Sequence, residues 1–158
     1  MASFLQNLSS YDTGKVPDGN GKSFGIAVSE WNKHITFELL AGCADTLKKH
    51  GVKEENIYVK FVPGSFELPF AGKLLAEEHH LSAVICLGCV IKGETDHDVY
   101  INTSVANALQ QLNIEYKVPF IFGVLTPNNE QQALDRAGGK HGNKGVEAAV
   151  TALKMAAL

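Results

Sequence analysis

The sequence predicts one α/β domain in which helices cover both faces of a central parallel sheet. Apolar, β-rich segments alternate with segments of helical periodicity, which favours parallel strands joined by right-handed crossovers. The chain has 158 residues, close to the size of one ordinary domain. Hydrophobic residues make up 45% and charged residues 20%, as in water-soluble globular proteins.

The alternation of elements begins after a polar segment, residues 1–22, which we interpret as an N-terminal arm. Residues 23–158 then form the predicted single domain. Phe24–Val28 is short and apolar and predicts the first strand. Ile35–His50 carries apolar residues at helical spacing and predicts a helix, which Gly51 ends.

The middle of the chain repeats this pattern. Ile57–Val62 is rich in β-formers and stops at Pro63-Gly64, which predicts a second strand. Phe66–His80 has helical spacing, and Pro69 is compatible with the first turn of a helix. Ala83–Ile91 is apolar throughout, as expected of a strand buried on both faces of a parallel sheet.

The last third of the chain predicts four more elements. Thr103–Leu112 is helical, and Pro119–Leu125 is another apolar strand. Glu130–Ala137 predicts a short helix, broken by Gly138-Gly139. Gly145–Ala157 is an alanine-rich final helix.

Composition and charge exclude several functional classes. The formal net charge is -3 and the lysines and arginines are scattered, so no nucleic-acid partner is expected. No apolar run could span a membrane, and no secretory signal is present, so we expect a cytoplasmic protein. The three cysteines suggest no disulfide framework. Cys86 and Cys89 would point to opposite faces of a strand, which favours core residues over a redox or metal pair.

Ligands of parallel sheets bind at the carboxyl ends of the strands. One such end runs from an apolar strand through a glycine turn to a helix that Thr95 and Asp98 are predicted to cap. A helix start suits a phosphate. His97 lies beside it, and histidine is the side chain whose ordinary pKa suits a proton shuttle at neutral pH. The alternative is a capped surface turn with a solvated histidine.

Other candidate residues also have two interpretations. Ser65 and Glu67 could bind hydroxyl groups or simply cap a helix. Trp31 could stack on a planar ring or be a partly buried core residue. Arg136 and Lys144 could bind a phosphate or place a cation near a helix C-terminus.

Taken together, four segments in this order resemble the lumazine synthase family. They are Pro63-Gly64-Ser65-Phe66-Glu67-Leu68-Pro69, Leu87-Gly88-Cys89-Val90-Ile91-Lys92-Gly93-Glu94-Thr95 with His97, Phe120-Ile121-Phe122-Gly123-Val124-Leu125-Thr126, and Arg136-Ala137-Gly138-Gly139-Lys140-His141-Gly142-Asn143-Lys144-Gly145. The resemblance covers nearly the whole chain after Lys22. Each segment alone is weak, but their order and spacing together are highly specific.

The resemblance implies a flavodoxin-like three-layer α/β/α sandwich and a transferase that needs no cofactor and no metal. It would condense 5-amino-6-(D-ribitylamino)uracil with 3,4-dihydroxy-2-butanone 4-phosphate through a Schiff base. Loss of phosphate and ring closure would then give 6,7-dimethyl-8-ribityllumazine. The family also implies a homopentamer, in some members an icosahedral shell of sixty subunits, and riboflavin synthase as a partner. The alternatives are a non-catalytic flavin- or lumazine-binding module and a shell-forming structural paralogue.

The resemblance also implies residue roles. His97 would transfer protons, and Arg136 would reach in from a neighbouring subunit as the phosphate clamp. The implied substrate-binding residues are Trp31, Ser65, Phe66, Glu67, Cys89, Val90, Ile91, Glu94, Thr95, Phe122 and Lys144. Trp31 replaces a phenylalanine common in the family, and His97-Asp98-Val99-Tyr100 departs from the usual aromatic-then-acid order. The resemblance therefore leaves open which acid, if any, orients His97.

Overall fold

The structure is a computed structural model that describes residues 7–158, so the first six residues of the predicted arm lie outside it. Strands and helices alternate in the predicted order. The elements are β1 (Phe24–Ser29), α1 (Lys33–Lys49), β2 (Ile57–Val62), α2 (Leu68–Glu78), β3 (Ala83–Cys89), α3 (His97–Glu115), β4 (Phe120–Leu125), α4 (Glu130–Asp135), β5 (Ala137–Gly139), β6 (Gly142–Asn143) and α5 (Lys144–Met155).

The central sheet has four parallel strands in the order β2-β1-β3-β4. Every residue of β1 and of β3 is buried, which explains why both strands are almost continuously apolar. Parallel pairing brings the carboxyl ends of all four strands to the same edge. The predicted α/β fold with a central parallel sheet is therefore confirmed.

Helices cover both faces of this sheet. Successive strand residues point to opposite faces, so Phe24, Ile26 and Val28 pack with α1 and α5, whereas Ala27 packs with α2 and α3. Two separate apolar cores result, one on each face. None of the described helices is both long and apolar enough to cross a membrane.

The cysteines lie in these cores, as predicted. Cys86 belongs to the core under α2 and α3, and Cys89 to the core under α1 and α5. Both thiols are free, and burial raises the pKa of each to about 12. Burial also raises the pKa of the free Cys43 thiol. Thiols held in the neutral form are poor metal ligands and poor nucleophiles, consistent with a packing role.

The start of α3 differs from the prediction. The helix begins at His97 rather than Thr103. The prediction began too late because the apolar repeat of this helix becomes regular only near Val105. The predicted cap is wrong: Asp96 is the N-cap residue, and its side chain makes no capping hydrogen bond. Thr95 therefore lies one position too early to cap this helix.

Smaller differences occur at other element boundaries. The helix predicted from Phe66 starts with a 3-10 turn at Ser65–Glu67, and Pro69 lies in the first turn of α2 as predicted. The antiparallel pair of β5 and β6 was not predicted. Gly138 and Gly142 have φ angles of 109° and 83° there, a region that glycine enters without steric cost.

The described part of the predicted arm packs on the domain. The Leu8 N–H donates to the His141 carbonyl at 3.1 Å, and the Tyr11 hydroxyl lies 3.2 Å from His50 Nε2. The Lys22 ammonium donates to the Ala156 carbonyl at 3.1 Å. These contacts join residues 8–22 to the turn between β5 and β6 and to the C-terminal ends of α1 and α5.

Candidate active site

A cleft of about 600 Å³ lies at the carboxyl ends of β1, β2 and β3. It is the location that parallel sheet geometry favours for a ligand. Nine of the predicted site residues line it: Trp31, Ser65, Phe66, Glu67, Cys89, Val90, Ile91, Thr95 and His97. Three separate turns thus converge on one concave surface, which we term the strand-end cleft.

Trp31 is presented to the strand-end cleft by the loop after β1. The Glu30 N–H donates to the Val62 carbonyl at 2.8 Å, and the Trp31 N–H donates to the Pro63 carbonyl at 2.9 Å. Strand-like pairing therefore continues past the end of the sheet and holds the Trp31 backbone. Its side chain is 73% exposed, so the core interpretation is wrong and the ring is free to stack on a planar ligand.

Asn32 also lines the strand-end cleft but was not among the predicted site residues. It is the one non-glycine among residues 7–158 with a positive φ, at 58°, and its side-chain amide donates to the Cys89 carbonyl at 3.0 Å. This bond ties the end of β1 to the end of β3. Asparagine adopts left-handed backbone more readily than most residues, so an asparagine in the short loop after β1 was a usable signal.

We expect Asn32→Ala to lower the free energy of unfolding by about 1–2 kcal/mol, because alanine loses the bond to Cys89 and is strained at this φ. Asn32→Gly is the matched control, since glycine also loses the bond to Cys89 but adopts this positive φ without strain. Thermal unfolding midpoints measure both. Equal losses for alanine and glycine would show that backbone strain contributes nothing at this position.

The turn after β2 is stabilised by the side chain of Glu67, one of its own residues. A Glu67 carboxylate oxygen accepts a hydrogen bond from the Gly64 N–H at 3.0 Å, so Glu67 does cap this turn. Ser65 is buried against β3, where a Cβ added to Gly88 would lie 2.5 Å from its hydroxyl oxygen. Gly88 therefore lets the turn approach the sheet and form one wall of the strand-end cleft.

The loop after β3 offers a free backbone group. The Val90 N–H donates to the Leu125 carbonyl at 2.9 Å, and the Lys92 N–H donates to the Pro127 carbonyl at 3.0 Å. Between them, the Ile91 N–H has no protein acceptor within residues 7–158. A donor of this kind, at the wall of a cleft, can read the polar edge of a ligand.

The α3 N-terminus closes the other side of the strand-end cleft. Its first residue, His97, is exposed, and the unpaired N–H groups of the first turn give this end a positive partial charge. Asp98 also lines the cleft, and its Oδ1 is buried without a hydrogen-bond partner in the described chain. Within residues 7–158, then, no acid is hydrogen-bonded to His97. Glu94 is exposed in the turn before α3 and does not line the cleft.

Three predicted site residues lie on a different surface. Phe122 and Lys144 line a second, larger cleft of about 1150 Å³ beside β4 and α5. Arg136 forms an ion pair with Glu147, which lines this same second cleft. Lys144 is the first residue of α5, so its interpretation as a cation at a helix C-terminus is wrong. Within one chain, these residues do not join the strand-end cleft.

Comparison with known sequences agrees with this architecture. A sequence model of the 6,7-dimethyl-8-ribityllumazine synthase family matches residues 21–158. A protein of that name from Parabacteroides distasonis is 57% identical over 155 residues, covering 98% of this chain and 97% of its own. One from Porphyromonas gingivalis is 55% identical over 158 residues, covering 100% and 98%. One from Cytophaga hutchinsonii is 51% identical over 157 residues, covering 99% and 98%.

Proposed function

The chain belongs to the 6,7-dimethyl-8-ribityllumazine synthase family, and we propose that its reaction takes place in the strand-end cleft. The enzyme condenses 5-amino-6-(D-ribitylamino)uracil with 3,4-dihydroxy-2-butanone 4-phosphate, the penultimate step of riboflavin biosynthesis. Phosphate and water leave. The condensation has no net oxidation or reduction, so it requires no redox cofactor.

The observation that carries the proposed site is the convergence of three features on one cleft: Trp31, a free backbone donor and the start of α3. The exposed Trp31 ring stacks on the pyrimidine. The Ile91 N–H, in the Cys89–Ile91 wall, reads the polar edge of the pyrimidine ring. Holding two substrates together in this geometry supplies much of the acceleration, because it replaces a bimolecular encounter.

The remaining groups of the strand-end cleft divide between the two substrates. Ser65, Phe66 and Glu67 hold the ribityl chain, which offers hydroxyl groups to polar side chains. Thr95 and the start of α3 face the phosphate, whose negative charge a helix N-terminus favours. Glu94 precedes them in the same turn but does not line the cleft. His97, the first residue of α3, lines the same cleft and transfers the protons that Schiff base formation and phosphate loss require.

A second copy of the chain completes this site. Phe122, Arg136 and Lys144 carry the aromatic and cationic groups that the reaction needs, yet they lie away from the strand-end cleft. A neighbouring subunit that docks its second-cleft surface there would supply all three. A cyclic pentamer repeats this contact at every interface, and twelve pentamers could close into an icosahedral shell.

Other expectations belong to the same proposal. Residues 23–158 act as one catalytic domain, with residues 1–22 as an arm. The protein works in the cytoplasm, a location with which three free thiols are compatible. Riboflavin synthase is the expected protein partner. None of these expectations is needed for the chemistry of the cleft.

A direct assay tests the function: the purified protein is mixed with both substrates, and lumazine absorbance is followed against the uncatalysed rate. A rate well above background is expected. No acceleration from a folded, assembled protein would instead support a flavin- or lumazine-binding module.

His97→Ala should lower kcat by about 10- to 100-fold and leave binding of the pyrimidine substrate unchanged. The loss lies at the low end of general acid-base effects because proximity supplies much of the rate. Steady-state kinetics and titration of the pyrimidine measure the two quantities separately. An unchanged kcat would remove the proton-transfer role from His97.

A further inference from the structure

The Glu147 carboxylate forms ion pairs with both cations that we propose to act at the phosphate of the substrate, Arg136 and Lys144. Glu147, on the first turns of α5, contacts an Arg136 Nη atom through Oε1 and the Lys144 ammonium, 3.3 Å away, through Oε2. The second Nη of Arg136 donates to the His141 carbonyl at 2.8 Å. Arg136 is therefore engaged on both sides within its own chain.

These ion pairs are mostly buried. The exposed side-chain fractions are 17% for Arg136, 21% for Glu147 and 24% for Lys144. Water and salt screen such a group less than they screen a surface pair. An anion that binds Arg136 and Lys144 must therefore displace the Glu147 carboxylate, which is strongly bound to both.

We propose that Glu147 is a positioning residue that occupies Arg136 and Lys144 until the phosphate of the substrate displaces it. This inference rests on the proposed phosphate role of Arg136. The two oxygens of a carboxylate accept from a guanidinium and an ammonium much as two phosphate oxygens do. Glu147 keeps the two cations together against their mutual repulsion, and takes them back when inorganic phosphate leaves.

Removing the charge of Glu147 while keeping its shape should strengthen phosphate binding. In Glu147→Gln (E147Q) the three side chains carry two net positive charges instead of one. A doubly charged phosphate then no longer competes with a carboxylate for Arg136 and Lys144. We expect roughly three- to tenfold stronger binding, the range for a partly buried charged contact.

The experiment measures inhibition by inorganic phosphate and the kinetics of both substrates, using the assembled full-length protein. E147Q should lower the phosphate inhibition constant and the KM for the butanone phosphate. Its kcat should also fall, because phosphate leaves more slowly, while the KM for the pyrimidine substrate stays unchanged. Glu78→Gln removes the same charge from the ion pair between Glu78, at the end of α2, and Lys60 on β2, and it should change none of these values.

The opposite sign would overturn the inference. A residue that merely holds Arg136 in place would, when changed, weaken phosphate inhibition and raise the KM for the butanone phosphate. No change in E147Q, with weakened phosphate inhibition in Arg136→Ala, would overturn the Glu147 role alone. Unchanged phosphate inhibition in Arg136→Ala would show that Arg136 does not bind the phosphate. The proposed role of Glu147 would then be wrong as well. If E147Q fails to assemble, Glu147→Asp, with its shorter reach, should shift the same constants in the same directions.

Discussion

Replacing Arg136 by alanine is expected to lower the rate of lumazine formation by about 100- to 1000-fold. The planar guanidinium binds a phosphate through two parallel hydrogen bonds, and removing a preorganised charged donor of this kind costs about 3–4 kcal/mol in the transition state. Phosphate is the leaving group, so the loss should appear in kcat as well as in the KM for the butanone phosphate. Steady-state kinetics with each substrate varied measures it.

Arg136→Lys is the matched control, because it keeps the charge and loses the two-pronged geometry. Its rate should lie between those of the wild type and Arg136→Ala. Circular dichroism and sedimentation must show that all three proteins fold and assemble alike. A rate for Arg136→Ala within about threefold of the wild type would show that Arg136 does not act as a phosphate clamp.

Mixing two impaired variants tests whether Arg136 acts across a subunit boundary. When Arg136→Ala and His97→Ala chains are refolded together in equal amounts, a site with His97 from one chain and Arg136 from its neighbour is intact. Random assembly makes about one quarter of the sites intact. Recovery of about that fraction of wild-type activity is expected. Activity no higher than that of the separate variants would argue that both residues serve the same chain.

Gly145→Ala is expected to prevent folding or to lower the free energy of unfolding by about 3 kcal/mol or more. A Cβ at Gly145 would lie 1.8 Å from the Leu39 carbonyl oxygen, which belongs to the backbone of α1. No side-chain rotation relieves that overlap, so α5 would have to move away from α1. Both helices contribute to the same core, and denaturant unfolding measures the loss.

Gly14→Ala provides the control for this substitution. A Cβ there would lie 3.4 Å from a carboxylate oxygen of Asp12, an ordinary van der Waals contact. Its unfolding midpoint should match that of the wild type within experimental scatter. A Gly145→Ala protein as stable as Gly14→Ala would show that α1 and α5 are less tightly packed than the structure indicates.

β1, β3 and β4 were predicted because each is a local run of apolar residues, and burial on both faces of β1 and β3 leaves little choice of side chain. The edge strand β2 is only partly buried and was predicted from its β-forming residues and the Pro63-Gly64 that follows them. The apolar repeat did not locate the start of α3, since His97, Asp98 and Tyr100 show no such repeat. The β5–β6 pair was also missed. A strand of two or three residues carries too little pattern, and its glycines indicated only a break.

By itself, the sequence determined the alternation of elements, the opposite faces of Cys86 and Cys89, and the family, because local spacing and ordered motifs record these properties directly. Only the tertiary structure decided that Trp31 is exposed and that Asn32 bonds to the Cys89 carbonyl. It also decided that Arg136 and Glu147, eleven residues apart, form an ion pair away from the strand-end cleft. Periodicity indicates which side of an element faces the core. The partner of a polar side chain, however, depends on how separate elements pack, and no local pattern encodes that.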